Sequence, residues 1–400
     1  MRISAARWVA HATLLIACTA TAAPAWAQQT RAEELAQQQA AKSKQLRPNT
    51  PNKGERFFEW LEDYTTSPNQ LYVTFGGVYR TGGFAPGVGW RHAFGRARFN
   101  MGGAWSMRNY KMAQTTLTLK DLAGDKLDLD FNARFLDGTQ LPFYGIGNET
   151  VRADRASFGL RTTEGAALAT IKPVRWFRVG GGVGGERHKD RRGVGARHPS
   201  IEQAYSALTA PGLFSETTYT RMTAFTAIDW RESPGYTRRG GLYSVAFHNY
   251  KESDDIFTFR RVDIDLREFV PLLKEQWVLA FRAFAQMTDN DAGHVIPYYM
   301  LPSLGGHLAH RAYSDFRFRD KNLLLLSAEY RWLPSRILDL ALFVDSGKVA
   351  SCRCDLDFDG LKTGYGIGMR FHGYTFTPIR VDVAHGDEGF RFHFTGGVAF

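Results

Sequence analysis

Asp355, Asp357 and Asp359 recur at alternate positions and are followed by Gly360, which is how an oxygen-ligand calcium loop opens. Such a loop needs a bidentate Glu at its twelfth position. Gly366 stands there instead, so the segment reads as an acidic surface loop without metal. The run Gly180-Gly-Gly-Val-Gly-Gly185 has the glycines of a phosphate cradle but no helix after them, and close strand packing or a bend explains it better. None of the eleven histidines has His-Glu-x-x-His spacing, and no Gly-x-Ser-x-Gly occurs. A Ser–His pair assembled across strands would leave no linear signature. Arg187, His188, Lys189, Arg191, Arg192, Arg197 and His198 form a basic cluster suited to phosphate groups or to plain solvation. These residues imply no catalytic site, no cofactor and no metal.

The elements that would position such groups have a period of two. From Leu71 onward, turn residues cut the chain into about sixteen segments of roughly 10–15 residues, the length a tilted membrane strand needs. The segments are expected at 70–80, 84–95, 96–107, 109–120, 125–135, 155–171, 174–187, 216–231, 239–251, 254–267, 275–288, 322–333, 335–349, 361–372, 376–385 and 389–400. In the fifth, Leu127, Leu129, Phe131, Ala133 and Phe135 alternate with Asp128, Asp130, Asn132 and Arg134. An Arg or Lys on the lipid face costs about 2–4 kcal/mol at the bilayer midplane, so the charges belong inside and the register is fixed. In the last segment Phe390, Phe392, Phe394, Val398 and the terminal Phe400 share one face, opposite Arg391, His393 and Thr395.

The N-terminus is consistent with export. Arg2 and Arg7 precede the apolar run Ala12–Ala17 and the small-residue pattern Ala25-Trp26-Ala27, a secretory signal over 1–27 with the mature chain starting near Gln28. Leu15-Ile16-Ala17-Cys18 also satisfies a lipoprotein signal, at the expense of stranding Trp26 in a tail. Removing two arginines leaves 48 basic against 40 acidic residues, a net charge of +8 spread over alternating strands, which argues against nucleic acid as a partner. Cys352 and Cys354 are too close for an unstrained ring, and no disulfide framework is expected. The mature sequence has no apolar run of about 18 residues, so no helix is expected to span a bilayer. Residues 28–69 read as a solvated arm ending in a short amphipathic helix, 55–63, with Phe57, Trp60 and Leu61 on one side, packed as a plug or lid at the mouth.

Connection lengths give an independent test, because outer-membrane barrels have short periplasmic turns and long outer loops. The long connections, 136–154, 188–215, 289–321 and 350–360, all follow odd-numbered segments. The fold class is therefore all-β: a sixteen-stranded antiparallel transmembrane barrel over 70–400 in a Gram-negative outer membrane, with a short N-terminal helical arm. Its expected surroundings are outer-membrane lipid and lipopolysaccharide, and it is expected to be a monomer.

The order of segments and loops resembles the BamA/TamA, or bacterial surface antigen, family. In the long loop 289–321, Leu304-Gly-Gly-His-Leu-Ala-His-Arg-Ala-Tyr313 is similar to that family's Arg-Gly-Phe/Tyr signature, with Ala312 where Gly is usual. Phe143-Tyr-Gly-Ile-Gly-Asn148, Ala328-Glu-Tyr-Arg331, Phe343-Val-Asp-Ser-Gly-Lys348 and Phe394-Thr-Gly-Gly-Val-Ala-Phe400 match in order. The resemblance implies that the long loop folds into the lumen. Strand parity puts Glu329 and Asp345 on the inner face, so a lock of Arg311 and Tyr313 on Glu329 and Asp345 is expected. Ala312 should leave the loop tip less tightly seated or differently shaped, since Gly tolerates backbone shapes closed to Ala. Gly396, Gly397 and Phe400 are expected to form a weakened lateral seam against the first strand. The resemblance also implies periplasmic receptor domains, for which residues 28–69 are too short. The reading is protein insertion or export, with a client or periplasmic partner protein. A passive or selective pore is the alternative, and an outer-membrane hydrolase the third.

Overall fold

The computed structural model describes residues 37–38 and 53–400, except 80, 82, 196, 273–275, 336 and 374–376. The expected signal peptide lies outside the described residues, as does most of the expected arm. A helix α1, Lys53–Thr66, precedes the sheet. The strands are β1 (Gln70–Gly76), β2 (Ala85–Phe94), β3 (Ala97–Trp105), β4 (Lys111–Asp121), β5 (Leu127–Phe143), β6 (Ala156–Val174), β7 (Phe177–Arg192), β8 (Glu216–Asp229) and β9 (Gly240–Glu252). They continue with β10 (Phe259–Leu272), β11 (Trp277–Asp289), two short strands β12 (Ser303–Leu304) and β13 (Phe318–Arg319), then β14 (Asn322–Ser335), β15 (Leu338–Ala350), β16 (Lys362–Phe371), β17 (Ile379–Gly386) and β18 (Gly389–Thr395).

All but β12 and β13 form one sixteen-stranded antiparallel sheet in which each strand pairs with its sequence neighbours. Among the described residues β1 and β18 share no ladder, so the sheet is open between its first and last strands. No described helix is long and apolar enough to cross a membrane.

The period-two pattern sets the faces. On β14, Leu323, Leu325, Ser327, Glu329 and Arg331 are buried, while Tyr330 and Trp332 face outward and stack on Trp277 with centroids 5.2 and 5.5 Å apart. Long connections follow β5, β7, β11 and β15, as parity requires. Two connections expected to be short are longer: 230–239 folds inward and brings Tyr236 Oη to Asp339 Oδ1 at 3.1 Å, and Thr377, between β16 and β17, donates its hydroxyl to the Gly235 carbonyl at 3.2 Å.

Several boundaries differ from expectation. β5 runs on to Phe143 because 136–143 continues the ladder with β6 past a bulge between Gly138 and Leu141. The closing strand stops at Thr395 rather than Phe400. Gly397 has a φ of +81° and its amide donates to the Thr377 carbonyl at 2.8 Å, so the chain turns off the sheet there. Phe400 consequently leaves the lipid-facing stripe of Phe390, Phe392 and Phe394. It is 5% exposed, packed on Phe269, Val278 and Ala280 of the inner wall and 5.5 Å from the Arg331 guanidinium. Cys352 and Cys354, whose state the sequence leaves open, are joined as a disulfide in the exposed connection after β15.

Candidate functional site

The connection between β11 and β14, residues 290–321, supplies the side chains that fill the inner face. Its tip is a closed turn. Gly305 and Gly306 have φ of +116° and +93°, and the Gly306 amide donates to the carbonyls of His310 and Tyr313 at 3.1 and 3.0 Å. The β12–β13 pair clamps the base of this turn through Leu304 and Phe318.

Arg311 leaves the tip and is 2% exposed. Its Nε and Nη2 donate to the two Asp345 oxygens, both at 2.7 Å, its own amide donates to Asp345 at 3.1 Å, and Nη1 donates to Glu329 Oε1 at 2.5 Å. The guanidinium lies 3.5 Å from the Phe343 ring centroid. This is bidentate recognition by a planar cation, which the point charge of a lysine does not reproduce. Glu329 also accepts from Arg331 Nε and Arg370 Nη2, each at 2.7 Å. The two carboxylates raise the Arg311 pKa against the burial that would lower it, so the loop residue stays charged.

Of the residues expected from sequence, Arg311, Glu329 and Asp345 meet, and Tyr313 does not join them. Its hydroxyl donates instead to Asp387 at 3.0 Å, in the β17–β18 hairpin turn. Arg317 Nε reaches Glu388 in the same turn at 2.5 Å, and His393 Nε2 on β18 lies 2.7 Å from the Arg311 carbonyl. The loop thus grips the last hairpin as well as β14 and β15. On the opposite wall, Tyr298 Oη donates to Asp190 at 2.8 Å, and Tyr299 Oη lies 2.9 and 3.1 Å from the hydroxyls of Ser215 and Thr217. Burial pushes the Tyr299 phenol up to about 12, so it stays protonated.

Ala312 sits inside the seated tip. Its φ is not positive, and it is 1% exposed. A Cβ built on Gly364 of β16 would overlap the Ala312 Cβ, and one on Gly386 of β17 would approach it to 2.9 Å. Two inward glycines on the wall therefore make the room that Ala312 occupies.

A hydroxyl–imidazole–carboxylate chain does occur on the inner wall: Thr162 Oγ1 lies 3.1 Å from His188 Nδ1, and His188 Nε2 lies 3.2 Å from Glu186 Oε2. All three are buried, Glu186 is also held by Arg221 at 2.6 Å, and the imidazole sits between the Tyr219 and Tyr299 rings. The hydroxyl has no approach for a substrate, and the chain reads as wall packing.

Comparison with known proteins shows what the fold is similar to. Residues 238–400 match the Omp85 superfamily domain. BamA from Haemophilus ducreyi, in a structure lacking POTRA domains 1–3, superposes with a TM-score of 0.61 at 13% identity, covering 82% of this chain and 70% of that one. CdiB from Escherichia coli gives 0.54 at 11% identity, covering 86% and 70%. Its sixteen-stranded sheet has the fold of the BamA and CdiB barrels. None of the curated proteins matches it. The segment similar to the Omp85 domain contains all four loop and wall residues expected from sequence, Arg311, Tyr313, Glu329 and Asp345.

His310, beside Arg311 in the barrel's loop, is fully buried and its Nε2 lies 2.8 Å from the Lys362 carbonyl. Burial pushes its pKa below the usual histidine value. A histidine whose folded pKa is depressed holds its neutral form above the unfolded value near 6.5, and contributes less as pH falls below it. Acidification from pH 7.5 to 5 is expected to raise amide hydrogen exchange in 305–317, after correction for the intrinsic rate. His310→Asn should flatten that dependence, and an equal pH response in the variant would exclude His310 as its source.

Proposed function

We propose that this barrel inserts or exports proteins across the outer membrane through a seam between β1 and β18. The carrying observation is the asymmetry at that seam. β1 and β18 share no ladder, and β18 is tethered from inside through His393 to the loop that Arg311 holds against β14 and β15. A client or a periplasmic partner would engage the free edge. Gly396 and Gly397 end β18 and turn Phe400 inward, which shortens the strand available to close the seam. BamA and CdiB share the fold and support this reading by likeness. No catalytic step is proposed, because the hydroxyl–imidazole chain at Thr162 is walled in. The passive-pore reading is disfavoured by Arg311, Tyr298 and Tyr299, which pack the loop into the lumen.

A thiol crosslink between cysteines placed at Val73 and Phe394, in a Cys352→Ser/Cys354→Ser background, tests the seam. Both native side chains are exposed on the outward face. The crosslinked barrel is expected to lose its phenotype-rescuing activity and to regain it on reduction. Full activity in the crosslinked form would refute a working seam.

A further inference from the structure

A second feature lies on the opposite side of the sheet from the loop. Trp105, Lys111, Asp137, Arg161, Lys189 and Glu216 are consecutive register partners across β3 to β8, and so form one row on the outward face. Arg187 and Arg191 flank Lys189 on the same face of β7, giving five basic groups to two acids. Each acid is shared by two cations. Glu216 accepts from Arg187 Nε at 2.6 Å and from Lys189 at 3.0 Å, while Asp137 accepts from Arg161 at 3.1 Å and from Arg191. An excess of positive charge therefore remains on each pair. The Arg187, Lys189 and Arg161 side chains are 67%, 51% and 46% exposed, and Lys111 lies 5.1 Å from the centroid of the exposed Trp105 ring.

Their height is set by the strands. Arg187 is ten residues beyond Phe177, the periplasmic start of β7, and Lys111 is ten residues from Asp121, the periplasmic end of β4. At a rise of about 3.3 Å per residue and a tilt of about 40°, that is roughly 25 Å, the height of the apolar band of an outer-membrane barrel. Below them on this face are Val179, Val183, Ile171 and Met222, all exposed. The row thus begins where acyl chains end in the outer leaflet. A cation there costs little, whereas at the midplane it would be strongly disfavoured.

We propose that the outward faces of β4–β8 bind the phosphate-bearing headgroup of an outer-leaflet glycolipid, lipid A. Asp137 and Glu216 hold the cations in place, and the aromatic Trp105 marks the interface. This assignment stands whether or not the seam transports anything.

Full-length protein purified in detergent is titrated with bis-phosphorylated lipid A and with lipid A stripped of both phosphates, and bound lipid is counted by native mass spectrometry. The phosphorylated form is expected to be retained selectively. Arg161→Gln/Arg187→Gln/Lys189→Gln should weaken it on the order of 100-fold, from about five-fold per basic residue at a membrane surface. Glu216→Gln, which frees two cations of their shared acid, should tighten it. Equal retention of the stripped lipid, an unaffected triple variant, or weakening by Glu216→Gln would each overturn the assignment. So would displacement of lipid A by millimolar inorganic phosphate, which would mean a site for free anion. Unchanged heat-modifiable migration on gels keeps loss of folding apart from loss of binding.

Discussion

Arg311→Ala is expected to release residues 290–321 from the lumen while leaving the sixteen-stranded sheet intact. The substitution strips Asp345 of both guanidinium contacts and leaves it one backbone amide, whereas Glu329 keeps Arg331 and Arg370. Removing one partner of a buried ion pair typically costs about 3–5 kcal/mol, because the remaining charge is left uncompensated. At about 1.4 kcal/mol per factor of ten, the ratio of seated to released loop should fall by roughly two to three powers of ten. Limited proteolysis should then cut within 290–321, and single-barrel conductance in a planar bilayer should rise from the low level of a packed lumen. Arg311→Lys is expected to rescue little, since an ammonium cannot span Asp345 and Glu329 in the same fork. Unchanged protease protection in Arg311→Ala would show that the loop's other contacts, those of Tyr298, Tyr299, Tyr313 and Arg317, suffice to seat it.

Gly364→Ala is the second large effect, although it adds one methyl group at a position with ordinary strand geometry. That methyl would overlap the Ala312 Cβ and approach the His385 carbonyl to 3.0 Å, so either the loop tip or β17 must yield. Overpacking of this kind costs about 1–3 kcal/mol. Adding Ala312→Gly should recover most of the loss, while Ala312→Gly alone should be mild, near the ~0.5–1 kcal/mol that glycine costs in backbone entropy. The two sites touch, so a double-mutant cycle should give a coupling of opposite sign to the Gly364→Ala loss. Additive effects on proteolytic protection of 305–317 would mean that Ala312 and Gly364 do not share space in solution.

Alternation made the wall of the site legible. Glu329 and Asp345 are flanked along their strands by apolar outward positions, Leu326, Ala328, Tyr330 and Trp332 on one and Leu340, Leu342 and Val344 on the other, so parity placed both acids inside. The same parity also placed Arg331 and His393, but His393 meets a backbone carbonyl, and nothing in a sequence marks which carbonyl a folded loop will present. Tyr298 and Tyr299 went unread because 290–321 has no period, and their partners Asp190, Ser215 and Thr217 come from the far wall. The family-like signature implied a lumen loop with Arg311 on it. It could not show how Ala312 fits, because that depends on Gly364 and Gly386 across the gap. Phe400 failed for a local reason: the apolar spacing runs on through 396–397, but a left-handed Gly397 cuts the strand before that spacing can matter.

The α1 helix touches the other end of the sheet. The Val73 amide of β1 donates to Tyr64 Oη at 3.2 Å, the Arg91 side chain reaches the Tyr64 carbonyl at 2.5 Å, and the Tyr64 ring stacks 5.6 Å from Trp60. Phe57 and Trp60, two of the three side chains on the helix's expected apolar side, are exposed. β18, by contrast, is fastened through His393 to Arg311 and thence to two buried carboxylates, and its hairpin turn is held by Tyr313 and Arg317. The gap in the sheet therefore has one stiff lip and one soft lip. On the first-strand side the described contacts to the helix run through Tyr64, whose phenol accepts from Val73 and whose carbonyl accepts from Gln70, so any widening under load is expected to be borne first by β1, the side whose edge amides a visiting strand would need.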